Sequence, residues 1–325
     1  MIRIGLLGCA HVHAADYVAD LRVDRLNARP LAVFDTDRER AVAFAAQHGL
    51  TVADDPDGLC RKVDAVIVVS EHRRYPEMVS AAAAAGRPVL CEKPLGATPE
   101  DCRSLLSTPA WLSVSFPVRY AQPVLRARDL IAGGSLGMLL AMSGTNRGAF
   151  PGGFFGIRAL AGGGAIIDHV VHVADALRFL TGCEYKTVYA EAGQFRPVGD
   201  VEDCAQILAT TTEGAWASID PSWSRPPDMP GALDFEMTLW FEHGWMHLDE
   251  GGTRGMLVGS DGRIAYQDHG EGTNVKLLAD WISAFTRGGL PPIPASDGAK
   301  ATSLALAAVR SAASGEVVAV DDAMA

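Results

Sequence analysis

Val63-Asp64-Ala65-Val66-Ile67-Val68-Val69 is apolar and β-branched nearly throughout, so a strand formed here has to be buried on both faces. That demand is met by a parallel sheet with helices on either side. Runs at residues 2–7, 30–34 and 88–91 have the same character, and a helical pattern follows each of them. Strand and helix in alternation predict an α/β unit, with residues 111–116 as its last strand.

Ligands of such sheets lie beyond the carboxyl ends of the strands. The first run ends in Gly8-Cys9-Ala10-His11-Val12-His13 before a helix, the strand, turn and helix of a dinucleotide-binding unit, whose helix N-terminus suits a pyrophosphate. The second ends in Asp35, a carboxylate that can accept hydrogen bonds from an adenosine ribose and would repel a 2′-phosphate. NAD is therefore favoured, while Arg38 and Arg40 keep NADP open. Asp35 also reads as a cap for the helix at 38–48. The third leads into Ser70-Glu71-His72-Arg73-Arg74-Tyr75, and the fourth into Glu92-Lys93-Pro94. There Pro94 fixes the backbone and Lys93 points into the crevice. Taken alone, Lys93 is equally consistent with a solvated turn lysine.

Farther along, Gly162-Gly163-Gly164 opens an apolar helix that runs to Leu180 and is closed by Gly182. Asp168 and His172 are four apart and share a face, so the carboxylate is expected to orient the imidazole as a general base. Arg119, Asn146, Arg147, His169, Trp223 and Arg225 are candidates for contact with a substrate bearing hydroxyls, with a carboxylate or phosphate on it left open. Amphipathic strands at 138–144, 185–193, 204–212, 215–222, 237–241, 245–248 and 256–259, with turns at Glu213-Gly214 and Asp261-Gly262, predict an antiparallel sheet. Helices at 275–286 and 299–313 close the chain.

A length of 325 residues, 48% of them hydrophobic, is enough for two cores, expected at 1–118 and 119–325. The net charge of −11, without Lys/Arg blocks, argues against nucleic acid or an anionic membrane and for a small-molecule ligand. Six cysteines without a Cys-x-x-Cys pair suggest a reduced compartment. The chain enters a strand at once with no signal peptide, and no apolar run is read as long enough to span a bilayer, so a cytoplasmic location is expected. His11-Val12-His13 and Asp168, His169 and His172 have ligand spacings, but neither completes a ligand sphere, and no metal is expected.

Glu92-Lys93-Pro94 after an apolar strand, together with Gly162-Gly163-Gly164-x-x-x-Asp168-x-x-x-His172, resembles the glucose-fructose oxidoreductase / inositol dehydrogenase (Gfo/Idh/MocA) family. The resemblance covers nearly the whole chain. It implies an N-terminal Rossmann-type parallel sheet and a C-terminal α+β domain on an open antiparallel sheet, whose free face forms a homodimer or homotetramer. It further implies hydride transfer between a nicotinamide cofactor and a secondary alcohol of a sugar, inositol or related polyol. Lys93, which touches nicotinamide ribose and substrate, Asp168 and His172 then form the catalytic set. Gly8, Ala10, His11, Asp35, Ser70, His72 and Glu92 would line the cofactor site. In the family's G-x-G-x-x-G/A turn, Ala10 and His13 stand at the second and third glycines, and Val170 replaces a glycine before His172. Where the family has T-P-N-x-x-H, His72 replaces asparagine and Tyr75 replaces histidine. Those departures leave two rivals: an enzyme that retains NAD and cleaves a bond through transient oxidation, or a sensor without catalysis.

Overall fold

Six strands make the first sheet: β1 (Ile2–Leu7), β2 (Ala28–Phe34), β3 (Thr51–Val52), β4 (Ala65–Val68), β5 (Val89–Cys91) and β6 (Leu112–Val114). Their order is β3-β2-β1-β4-β5-β6 and all pairings are parallel. Strand order reverses between β1 and β4, which opens the ligand crevice there. The whole of β4 is inaccessible to solvent, as its composition requires. Five helices make the crossovers: α1 (Ala14–Asp20), α2 (Arg38–His48), α3 (Pro56–Lys62), α4 (Tyr75–Ala84) and α5 (Pro99–Ser107). The cap on α2 is Asp37, which accepts from the Arg40 N–H. Asp35, expected to cap, is left for another role. This computed structural model describes residues 1–226, 233–249, 254–258, 264–268 and 272–320.

A helical turn at Pro117–Tyr120 and α6 (Gln122–Ala132) carry the chain to the second sheet. Its strands are β7 (Leu139–Gly148), β8 (Tyr185–Gly193), β9 (Cys204–Thr211), β10 (Trp216–Asp220), β11 (Leu233–Phe241) and β12 (Gly244–Asp249). Helices α7 (Arg158–Ala161) and α8 (Ala165–Thr181) intervene after β7. β13 (Arg254–Val258) and β14 (Ile264–Asp268) form a separate antiparallel pair, of which β14 is unforeseen in the sequence reading. The expected Asp261-Gly262 turn lies outside the described residues. α9 (Thr273–Thr286), α10 (Ala295–Ser314) and the edge strand β15 (Val318–Ala319) complete the chain, giving the order β12-β11-β7-β10-β9-β8-β15. One pairing departs from the antiparallel expectation: β7 and β10 run parallel. A parallel pair needs a crossover, and α8 supplies it.

Helix α8 is buried on nearly every side and threads the core of the second sheet. Against the expectation that no stretch reaches spanning length, Arg158–Thr181 is long and apolar enough to cross a membrane, but 89% of that window is buried in the protein. The last two helices return to the first sheet. Thr302 of α10 accepts the Leu95 N–H at 2.9 Å, and Ile293 O accepts the Val114 N–H at 2.9 Å. Thus α10 braces the turn just after Pro94 from behind.

Candidate active site

β5 ends in the crevice and hands Lys93 into the space between the two sheets, across a cis Lys93–Pro94 peptide. Lys93 is 3% exposed, and its ammonium lies 2.6 Å from Asp168 Oδ1, with a second bond of 3.3 Å to the Asp168 carbonyl. A lone buried ammonium would be costly, so the carboxylate from α8 determines where this lysine sits. The helix end that carries Asp168 is itself anchored. Glu202 Oε1 accepts from the Gly164 N–H at 2.8 Å and the Ile166 N–H at 3.3 Å, placing a negative charge at the positive end of α8. Gly164 has to be glycine, because a Cβ there would stand 1.9 Å from Glu202 O.

The other oxygen of Asp168 accepts from Trp223 Nε1 at 3.1 Å and lies 3.1 Å from His169 Nε2. His169 Nδ1 is 2.9 Å from Pro221 O, so the loop after β10 is tied to α8. Burial pushes the Asp168 carboxyl up, but the charge of Lys93 and then His169 outweigh it and hold it well below the usual range. The expected Asp168–His172 bond is a correction: both carboxylate oxygens are taken by Lys93, Trp223 and His169, and among the described residues His172 Nδ1 has no partner. Four-residue spacing brings two side chains to one face, yet stronger donors from other elements won. Burial, then the charge of Lys93, keeps His172 well below the ordinary histidine range, hence neutral.

Glu92 makes a second cluster beside this one. Its Oε1 accepts from Tyr17 at 2.7 Å and contacts His13 Nδ1 at 3.0 Å, while Oε2 accepts the Lys93 N–H at 3.0 Å. Burial works to raise this carboxyl; the neighbouring His13, which also hydrogen-bonds to it, and the Lys93 charge prevail and hold it well below the usual range. Ala10 packs on a small cluster built by Phe154, Phe155, Ala161 and Trp223 from the second half of the chain. Phe155 meets the His11 ring at 5.2 Å, and Phe154 meets the His72 ring edge-on at 5.0 Å. His72 Nδ1 lies 2.9 Å from Ala161 O, and burial lowers its pKa to about 4. His72 therefore ties the loop between β4 and α4 to α7.

At the far end of the crevice, Gly8 has φ of 90°, and a Cβ on it would stand 2.3 Å from Ser70 Cα, so the first turn is pressed directly against Ser70. Among the described residues, no side chain caps α1. Asp35 accepts the Cys9 N–H at 2.7 Å and the Asp37 N–H at 2.9 Å, and pairs with Arg40 at 2.6 Å, which also reaches Glu71 at 2.7 Å. Burial opposes ionisation of Asp35, but Arg40 and the two backbone donors lower its pKa below the ordinary value.

Among the substrate candidates, Asn146 is buried beneath α8, donating to His169 O at 3.3 Å with its Oδ1 unpartnered. Trp223 is fully buried against Asp168. Arg147, one residue on, is corrected: strand alternation turns it to the other face of the sheet, where it pairs with Asp234 at 2.5 Å. Arg119 is corrected too, since its guanidinium is committed to Asp175 at 2.7 and 2.5 Å and to Asp297 at 2.9 Å. Arg225 is half-buried, with its N–H on Gly148 O at 3.0 Å at the end of β7. Sequence reasoning missed Tyr17, Phe154, Phe155 and Glu202. Gly152-Gly153-Phe154-Phe155-Gly156 was the available signal, a glycine-flanked aromatic pair in a loop.

Residues 2–119 match the oxidoreductase family described by its NAD-binding Rossmann fold, and residues 124–247 match the GFO/IDH/MocA C-terminal domain. The chain is 29% identical to inositol 2-dehydrogenase 2 of Saccharopolyspora erythraea over 98% of its length and 96% of that protein. It is 31% identical to D-glucoside 3-dehydrogenase of Escherichia coli, covering 74% of this chain and 69% of that one. In fold it resembles levoglucosan dehydrogenase solved with NADH and L-sorbose, at a TM-score of 0.84, 20% identity and full coverage of both chains (100% and 100%).

Proposed function

Because this chain belongs to the glucose-fructose oxidoreductase / inositol dehydrogenase (Gfo/Idh/MocA) family of oxidoreductases, we propose that it interconverts a secondary alcohol and a ketone on a cyclic polyol or sugar, using NAD. The observation that carries this reading is the Lys93–Asp168 pair, an ammonium from one sheet and a carboxylate from a helix of the other, meeting at 2.6 Å inside the crevice. The crevice suits a dinucleotide: the first turn is tight, α1 has no side-chain cap, and a buried Asp35 closes β2. When bound, the nicotinamide supplies the hydride acceptor.

The remaining work falls to the chain. Lys93 donates to the substrate oxygen and stabilises the negative charge that grows on it. His172, neutral and free of Asp168, takes the hydroxyl proton. Asp168 acts through Lys93, fixing the ammonium in place. Asn146 and Trp223 wall the space around them, and the Phe154-Phe155 pair excludes water from the crevice. The negative Asp35 favours NAD over a 2′-phosphorylated nucleotide, and Arg40 holds that carboxylate in place.

The outer face of the second sheet supports a homo-oligomer. Trp245, Trp240 and Trp216 lie in one row across β12, β11, β7 and β10, with Trp240 paired to both Trp245 and Ala141 and Trp216 also paired to Ala141. They are 66, 42 and 55% exposed, a large apolar surface for a second copy to cover. The test of the function is titration of the full chain with NADH and NADPH by fluorescence, followed by assays on inositols and glucosides with NAD. Saturable NADH binding and NAD reduction are expected. Absence of saturable binding by either nucleotide overturns the reading.

A further inference from the structure

The hydride chemistry leaves one group of side chains without a task. His11 is 2% exposed, and among the described residues its Nε2 has no hydrogen-bond partner. Its Nδ1 receives only a long bond of 3.3 Å from the His13 N–H. Glu92 Oε1 lies 3.0 Å from His13 Nδ1, but among the described residues nothing answers His11 Nε2. A ring nitrogen of His11, one of His13 and a carboxylate oxygen of Glu92 all lie within 4.8 Å of one another.

From this convergence we propose that His11, His13 and Glu92 form a site for a first-row divalent metal ion, with zinc(II) as the ion of matching chemistry. Two imidazoles and a carboxylate are a recognised zinc set that leaves a fourth position for water or a ligand oxygen. Zinc held at about 2.0–2.1 Å by each ligand keeps tetrahedral ligand atoms about 3.3 Å apart. His13 and Glu92 already stand 3.0 Å apart, and the half-exposed His13 can turn to close the rest. Outer support is in place: Tyr17 donates to Glu92 Oε1 at 2.7 Å and also contacts Ser115 at 2.6 Å, which fixes the carboxylate as partners behind metal ligands do.

The full chain, stripped with a chelator, is titrated with Zn(II) alone by calorimetry and with Co(II) by visible absorption, in the absence of nucleotide. The titration therefore reads the metal site whether or not the dehydrogenase reading holds. One ion per chain is expected, with binding abolished in the double variant His11→Ala/His13→Ala. His13→Gln, at a half-exposed position that tolerates change, should weaken binding by at least about tenfold, and Tyr17→Phe by about 10- to 100-fold, with the circular dichroism of each unchanged. The proposal is overturned if the wild-type chain shows no saturable binding. It is equally overturned if His13→Gln, natively folded, binds as tightly as wild type, or if binding is lost only on replacing the exposed His243 and His247.

Discussion

Helix α8 carries two buried carboxylates two turns apart, and they have been put to different uses. Asp175 receives a bidentate guanidinium from Arg119, which Asp297 also grips, and Arg178 of the same helix pairs with Glu184. Asp168 receives a single lysine ammonium, with the unpartnered atoms of His172 and Asn146 nearby on the same helix and the strand beneath it. A planar fork filled on both sides is a fastener between the crossing segment and the core. A compact ammonium with a donor to spare, set among unsatisfied polar atoms, is equipped to take a ligand oxygen. The comparison separates holding from reacting where burial alone does not.

The strongest way to break it is Lys93→Met, expected to lower kcat/KM by at least about 10²-fold. That change also strands Asp168, so the companion variant Lys93→Met/Asp168→Asn should regain the melting temperature of the wild type without regaining turnover. Near-normal rates in either would remove the mechanism. Arg119→Met should do the reverse, costing about 3–5 kcal/mol in urea unfolding by leaving Asp175 uncompensated, while the molecules that remain folded turn over at close to the wild-type rate. A catalytic loss out of proportion to folded protein would return Arg119 to the substrate site.

Histidine burial sharpens the comparison further. His72 has its pKa lowered from 6.5 to about 4. The unfolded chain therefore binds more protons than the native one between those values, and stability falls as the pH is lowered through that window. The contribution is on the order of 3 kcal/mol, complete above pH 6.5 and lost by about pH 4. Urea midpoints across this range should slope for the wild type and slope less steeply for His72→Asn, part of the slope remaining because buried His172 is also held below 6.5; an equal slope in both would put the acid sensitivity elsewhere. Glu92 and Asp168 add to acid loss only at lower pH, since both are acids with depressed values.

Much of this was legible in the residues because it is local. The buried run at Val66-Ile67-Val68 can only be an inner parallel strand, and Pro94 stops its neighbour β5 with Lys93 at the rim. Gly162-Gly163-Gly164 and Gly182 bound α8 closely enough to put Asp168 in its first turn. Asn146 and Arg147 mark the limit of such reading. Adjacent strand residues must face opposite ways, but which of them faces α8 depends on how the sheet packs.

Sequence by itself determined the strand-and-helix rhythm, the crevice and the residues at its edge, because backbone periodicity and proline or glycine geometry act over a few residues. Only the tertiary structure decided partners. It brought Glu92 to Tyr17 and His13, gave Asp168 to Lys93 rather than His172, and fastened Arg119 to Asp175. A buried charge takes the strongest donor that folding brings within reach, and that donor comes from a distant element whose approach no local pattern records.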